Sequence, residues 1–176
     1  GIIGISSNKS VSNSIINSLK KLEYRGYDSA GIATLSNGFI NEVKSEGRVE
    51  NLENNFDLKN LSGNIGIGHV RWATHGVPNS INAHPHSSEN VSVVHNGIIE
   101  NSTLLKKYLL SKGHKFKSQT DTEVIVHLIT ENLKTSELQE AITKSLKQLL
   151  NIVKFSSLCA KVMYSEYWND NKNKLL

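Results

Sequence analysis

Residues 68–101 read GHVRWATHGVPNSINAHPHSSENVSVVHNGIIEN, and the reading of the whole chain spreads outward from them. They hold five of its 7 histidines, one of its 2 tryptophans and both of its 2 prolines, a mixture that belongs to a site rather than to a core. Just before and into the stretch, Ile65-Gly66-Ile67-Gly68-His69-Val70 alternates small and apolar residues in the manner of a buried strand. Arg71-Trp72-Ala73-Thr74-His75-Gly76 then leaves the strand, and Gly76 with Pro78 closes it as a loop. Such a loop suits a small ligand with a carboxylate. The fork of Arg71 grips two oxygens, the Thr74 hydroxyl adds a hydrogen bond, and Trp72 closes over the top. Val91-Ser92-Val93-Val94-His95 is a second strand running into Asn96-Gly97. A side-chain amide and a backbone N–H at one strand end make an oxyanion hole when both point at the same oxygen.

Plainer readings fit the same residues. Asn-Gly between apolar runs is a common hairpin turn, and Trp beside Arg is often a packed ring with a cation lying along it. Histidines 69, 75, 84, 86 and 95 are metal ligands by type, but they lack the short helical spacing of familiar zinc sites and have no thiolate among them. The reading is no metal and no cofactor.

The chain's 176 residues suffice for one domain with a core and are too few for two full ones. A hydrophobic content of 38% and a charged content of 20% fit an ordinary globular protein. The net charge of +4 is scattered in lysines without a basic stripe, so nucleic acid is not expected as a partner. One cysteine, Cys159, cannot form an internal disulfide, which suits a reducing, cytoplasmic setting. No apolar run reaches membrane length, and the N-terminal residues do not have the pattern of a secretory signal.

In chain order, Gly1 to Ile5 reads as a buried strand, and Val11, Ile15, Ile16, Leu19 and Leu22 fall at helical spacing. Residues 23–31 form a polar, aromatic loop that reads locally as a solvated connection with Gly26 ending the helix. Strands over 31–35 and 39–43 turn at Asn37-Gly38, and residues 47–63 carry a short helix. Leu104 to Leu110 marks a second helix stopped by Gly113. Phe116 to Glu123 reads as a strand end and helix start, with Thr120 or Asp121 as its cap. Helical patterns follow through Val124 to Ile129 and Leu138 to Leu150. Beyond that, 151–176 holds Phe155, Tyr164, Tyr167 and Trp168 without a clean period, and weak structure with poor packing is expected there.

Taken together, LEYRGYDSAG (22–31), HVRWATHG (69–76), NAHPH (82–86), VHNGIIEN (94–101) and QTDTE (119–123) closely resemble the glutaminase domain of the glutamine–fructose-6-phosphate aminotransferase family. The resemblance runs from Gly1 to about Leu149, with the blocks in family order. It implies an α+β fold of the N-terminal-nucleophile type, a four-layer αββα sandwich, in which an N-terminal cysteine attacks and its own α-amine is the base. It also implies roles: Arg71 for the glutamine α-carboxylate, Asp121 for its α-amino group, Thr74 and His75 lining the pocket, Trp72 on a lid loop that gates ammonia, and Asn96 with Gly97 as the oxyanion hole. Arg25 and His84 are carried over as neighbouring residues.

Two departures shape the expectation. The family's cysteine would stand one residue before Gly1, and Cys159 cannot replace it because it has no terminal amine beside it. After Leu149 the family continues with further sandwich and a sugar-phosphate isomerase region, whereas residues 150–176 resemble neither. The expectation is a partial glutaminase domain over 1–149 with a divergent tail, a sandwich incomplete at its C-terminal end, and no turnover by the chain as numbered. A glutamine-binding remnant without catalysis and a fragment that does not fold stably are the rivals. Glutamine or glutamate is the expected ligand, fructose 6-phosphate is reached only through the isomerase region, no membrane is involved, and the oligomeric state is open.

Overall fold

The computed structural model describes residues 1–58, 61–73 and 76–150, with Leu150 by its backbone, and the backbone of 159–164 with the Met163 side chain. Its elements run β1 (Ile2–Ser6), α1 (Ser12–Leu22), a 3-10 turn (Glu23–Arg25), β2 (Ser29–Ser36), β3 (Phe39–Glu46), α2 (Val49–Asn55), β4 (Ile65–Arg71), β5 (His86–Ser87), β6 (Val91–Asn96), α3 (Ser102–Ser111), α4 (Glu123–Leu133), α5 (Leu138–Leu150) and β7 (Cys159–Tyr164). Two antiparallel sheets result, ordered β1-β4-β2-β3 and β5-β6-β7.

Strand alternation sorts the core into layers. On β2, Ala30 and Ile32 join Ile15, Ile16 and Leu19 of α1, while Ala33 and Leu35 face the other way. On β4, Val70 goes with α1, and Ile65 and Ile67 meet Ala33, Val94 and Met163 between the sheets. On β6, Val91 and Val93 pack on Leu109, Ile125, Leu128 and Ile129 of the second helical layer. Both sheets are thus covered on both faces, which is the αββα arrangement expected.

The hairpin at Asn37-Gly38 has φ of 52° and 81°, the doubly positive pair that matches strand twist. Several local expectations give way to long-range contacts. Asn96-Gly97 is not a hairpin, because β6 ends there and the chain proceeds to α3. Residues 116–118 form no strand; the Glu123 carboxylate accepts the N–H groups of Lys117 and Ser118 at 2.8 and 2.7 Å, and so holds that backbone in place of a neighbouring strand. The cap of α4 is Thr122, whose side chain makes no capping bond to the helix, and Asp121 is engaged elsewhere. Within the segment expected to be weakly structured, Cys159–Tyr164 pairs along β6, with Ala160 opposite His95 and Met163 opposite Ser92. Lys161 hides that short run from a periodicity search, and Met163 is buried between the sheets. The remainder of the tail, 151–158 and 165–176, lies outside the described residues.

Candidate functional site

The layer between the sheets is apolar along most of its length and becomes polar at one end. On β4, His69 and Arg71 follow Ile65 and Ile67 on the same alternating face. On β6, Asn96 follows Val94. These strand ends open on a cavity of about 420 Å³, within the usual range for a small-molecule site. Arg25, Trp72, Gly97, His84 and Asp121 also line it, as does Gly1, whose nitrogen donates to the Val70 carbonyl at 2.6 Å. Seven of the nine residues singled out from sequence therefore meet around one cavity. The other two, Thr74 and His75, lie outside the described residues.

Arg71 is 5% exposed, and burial draws its pKa below the usual arginine value while Asp28 and Asp121 oppose that shift. A guanidinium keeps its charge under such a change, so the cavity has a fixed cation. Asp121 accepts the Ile99 N–H at 2.6 Å, a bond that ties the α4 approach to the segment after Gly97. Trp72 is 60% exposed with its ring edge-on to Tyr27 at 5.7 Å, so it is a rim residue and not a core one. Arg25 is exposed, with Nε donating to the Tyr24 hydroxyl at 2.9 Å.

The loop carrying Arg71 and Trp72 is held by the 23–31 segment, which is therefore more than a solvated connection. Asp28 donates its N–H to the Arg71 carbonyl at 3.0 Å and accepts the Ala73 N–H on its carboxylate at 2.8 Å. Gly26 lies against the same backbone so closely that a Cβ there would stand 2.5 Å from the Arg71 carbonyl carbon. Only glycine permits this approach.

Four buried histidines surround the polar end. His69 stacks on His84 with centroids 4.4 Å apart, and His84 meets His86 at 4.8 Å. The Nδ1 of His84 accepts the His95 N–H at 3.3 Å, and His95 bonds the Thr122 hydroxyl at 3.0 Å. Burial, then the nearby terminal amine, pushes His69 down to about 3. Burial, then Lys44, takes His86 to about 3, and burial also lowers His84 and His95. They are neutral at physiological pH. Among the described residues, no group of three or more His, Cys, Asp or Glu is arranged to hold a metal ion. His69 and Asp28 were not singled out as site residues from sequence. For His69 a signal existed, since it stands two residues before Arg71 and so shares its strand face.

A second cavity of about 540 Å³ is lined by Glu42, Lys44 and Glu123 among others. Lys44 pairs with Glu42 at 3.0 Å and Glu123 accepts the amides of 117 and 118, so these three charges are engaged within the protein.

Comparison with known proteins agrees with this geometry. Residues 57–140 match the family model described as a glutamine amidotransferase domain. The chain is 53% identical over 150 residues to glutamine–fructose-6-phosphate aminotransferase (isomerizing) of Bartonella henselae, covering 85% of this chain and 25% of that protein. It is also 53% identical over 152 residues to the enzyme of the same name from Pyrococcus horikoshii, with the same coverage. The chain thus spans about a quarter of the length of these curated relatives. Among solved structures, the glutamine phosphoribosylpyrophosphate amidotransferase of B. subtilis, complexed with ADP and GMP, superposes with a TM-score of 0.76 at 29% identity, over 93% of this chain and 35% of that one. With layers and relatives in agreement, the chain has the N-terminal-nucleophile fold of its amidotransferase neighbours, and its residues 57–140 match the glutamine amidotransferase domain.

Proposed function

We propose that the cavity binds L-glutamine and directs hydrolysis of its side-chain amide, with residues 1–149 as the glutaminase unit. The observation that carries this reading is that a buried cation, a carboxylate, a strand-end amide and the Gly1 nitrogen all line one cavity. Arg71 takes the α-carboxylate in a two-bond fork and Asp121 takes the α-ammonium. The nucleophile is the thiol of a cysteine joined to the Gly1 nitrogen, as the family resemblance implies. Its α-amine accepts the thiol proton, sulfur adds to the side-chain carbonyl carbon, and the oxyanion is met by Asn96 Nδ2 and the Gly97 N–H. Collapse expels ammonia, which leaves with the proton held by the amine. Water then cleaves the thioester to glutamate and restores the thiol. Trp72 on the rim covers the cavity, the family resemblance assigns Thr74 and His75 to the same pocket, and Arg25 and His84 are lesser contributors. By analogy with the named relatives, ammonia passes to fructose 6-phosphate in a region outside these 176 residues. The thiol chemistry suits a cytoplasmic setting, and no helix among the described residues is long and apolar enough to cross a membrane.

Calorimetry and ammonia release test this together. The chain beginning at Gly1 binds glutamate and releases no ammonia. The chain with Met-Cys placed ahead of Gly1, so that methionine removal exposes the cysteine, releases ammonia until a thiol-blocking reagent is added. Glutamine hydrolysis by the chain beginning at Gly1 that survives such a reagent overturns the mechanism.

A further inference from the structure

Two groups at the site compete for one geometric outcome. The side-chain amide of asparagine presents N–H₂ and C=O ends of nearly the same shape, and only the hydrogen-bond network tells them apart. An oxyanion is stabilised by the N–H₂ end and repelled by the C=O end. Asn96 is exposed at the end of β6, so apolar packing does not choose its orientation. Its Oδ1 lies 2.8 Å from Nε2 of His69.

We propose that His69 is a positioning residue whose Nε2–H holds the Asn96 carbonyl away from the cavity and thereby turns the Asn96 N–H₂ toward the reacting oxygen. The inference rests on the reading of Asn96 as an oxyanion donor. Three observations support it. First, His69 is 2% exposed in the central strand β4, opposite Ile2 of β1 and Gly31 of β2, so its backbone is fixed from both sides. Second, its ring is held by the stacked ring of His84, with planes 21° apart, and His84 is itself anchored by the His95 N–H. Third, a neutral imidazole has one N–H to give. Nδ1 of His69 is buried with no hydrogen-bond partner among the described residues, so a proton on Nδ1 would be an orphaned buried donor. Placing the proton on Nε2 leaves Nδ1 a bare lone pair and supplies the donor that Asn96 Oδ1 needs. The depressed pKa of His69 keeps this one-donor state intact through the physiological range.

The test uses nitrogen-15 NMR of the chain as it stands, with His69→Gln and His69→Phe variants and glutamate titration of each. The expected results are an Nε2–H tautomer for His69 that does not titrate between about pH 5 and 8, and a rigid Asn96 side-chain amide, with an order parameter of about 0.85. His69→Phe drops that value below about 0.6, the flexible range. His69→Gln, whose amide nitrogen stands where Nε2 was, restores it. An Nδ1–H tautomer, or an Asn96 amide equally rigid in His69→Phe, overturns the proposal. If His69→Phe does not fold, the tautomer of the parent and the rigidity of His69→Gln decide the matter. Failure of the parent chain to bind glutamate refutes the pocket assignment instead, since neither the tautomer nor the rigidity depends on ligand.

Discussion

Replacing Arg71 with alanine removes the buried guanidinium that the proposed function assigns to the ligand carboxylate. Arg71 is 5% exposed, so salt screens its guanidinium less than a surface one, and its fork can make two parallel bonds to a ligand carboxylate. Hydrogen bonds to charged groups contribute about 1.5–3 kcal/mol. Because Asp28 and Asp121 both act on Arg71, its removal also leaves their negative charge facing an incoming carboxylate, which pushes the loss toward the upper end. At about 1.4 kcal/mol per factor of ten, glutamate affinity falls about 10- to 150-fold. Arg71→Lys keeps the charge and loses the fork, so its affinity lies between parent and alanine. Calorimetric titration with L-glutamate reads the effect, and a thermal scan of each variant separates lost binding from lost fold. Affinity for Arg71→Ala within twofold of the parent, in a folded sample, refutes the assignment.

Other perturbations probe the parts that hold the site. Gly26→Ala drives a methyl into the Arg71–Trp72 backbone and should cost about 1–3 kcal/mol, lowering the melting temperature by about 2–4 °C per kcal/mol; an unchanged melting curve argues that the loop shifts freely. Acid should unfold the protein in two windows. His69 and His86 have folded values near 3, so the unfolded chain binds more protons below 6.5, and stability falls as pH drops from about 6.5 at about 1.4 kcal/mol per pH unit per histidine. Burial raises the Glu123 pKa, but the His127, Lys117 and Ser118 donors outweigh it and bring it to about 2, so its contribution is present above about 4.5 and lost as pH falls toward 2. Equal stability in denaturant titrations at pH 7, 5.5 and 4.5 contradicts the histidine sign, and equal stability at pH 4.5 and 3 contradicts both. In a chain with an exposed cysteine ahead of Gly1, Asn96→Ala should lower turnover about 10²–10³-fold, and a loss below threefold removes Asn96 from the mechanism. Hydrogen exchange should show amides of Cys159–Tyr164 protected in step with β6; exchange as fast as in a free peptide excludes the β6–β7 pairing.

Features encoded by local pattern were legible in the sequence. The spacing of Ile15, Ile16 and Leu19 placed α1, the Asn37-Gly38 pair placed a hairpin, and the alternation through Ile65 to Val70 placed β4. What local pattern does not carry is which distant backbone a polar side chain will meet. Asp121 has the residue type and position of a helix cap, yet its carboxylate reaches the N–H of Ile99, which becomes a neighbour only after the second helical layer has folded. Glu123 sits in a first helical turn, where an acid needs no further reason, yet it organises the 117–118 backbone. The Asn96-Gly97 pair satisfies the hairpin rule equally well in either structure, and only the absence of a following paired strand excludes it. The family resemblance pointed to Asp121 and Asn96 as pocket residues where the local rules favoured other uses, and both line the cavity. It did not extend to Cys159–Tyr164, whose strand depends on the pairing edge offered by β6.

The bond between His69 and Asn96 also joins the two sheets, since one residue belongs to β4 and the other to β6. Behind it the interface is made by Ala33, Leu35, Ile65, Ile67, Val94 and Met163. Close-packed apolar side chains resist both separation and sliding, but they carry no directional polar bond. A hydrogen bond weakens over a few tenths of an ångström, so this contact adds a directional tie between the two sheets at the end where Arg71 and Gly97 line one cavity. A change of volume far down the interface, at Ile67 or Met163, would therefore reach the cavity as a misalignment of its two walls.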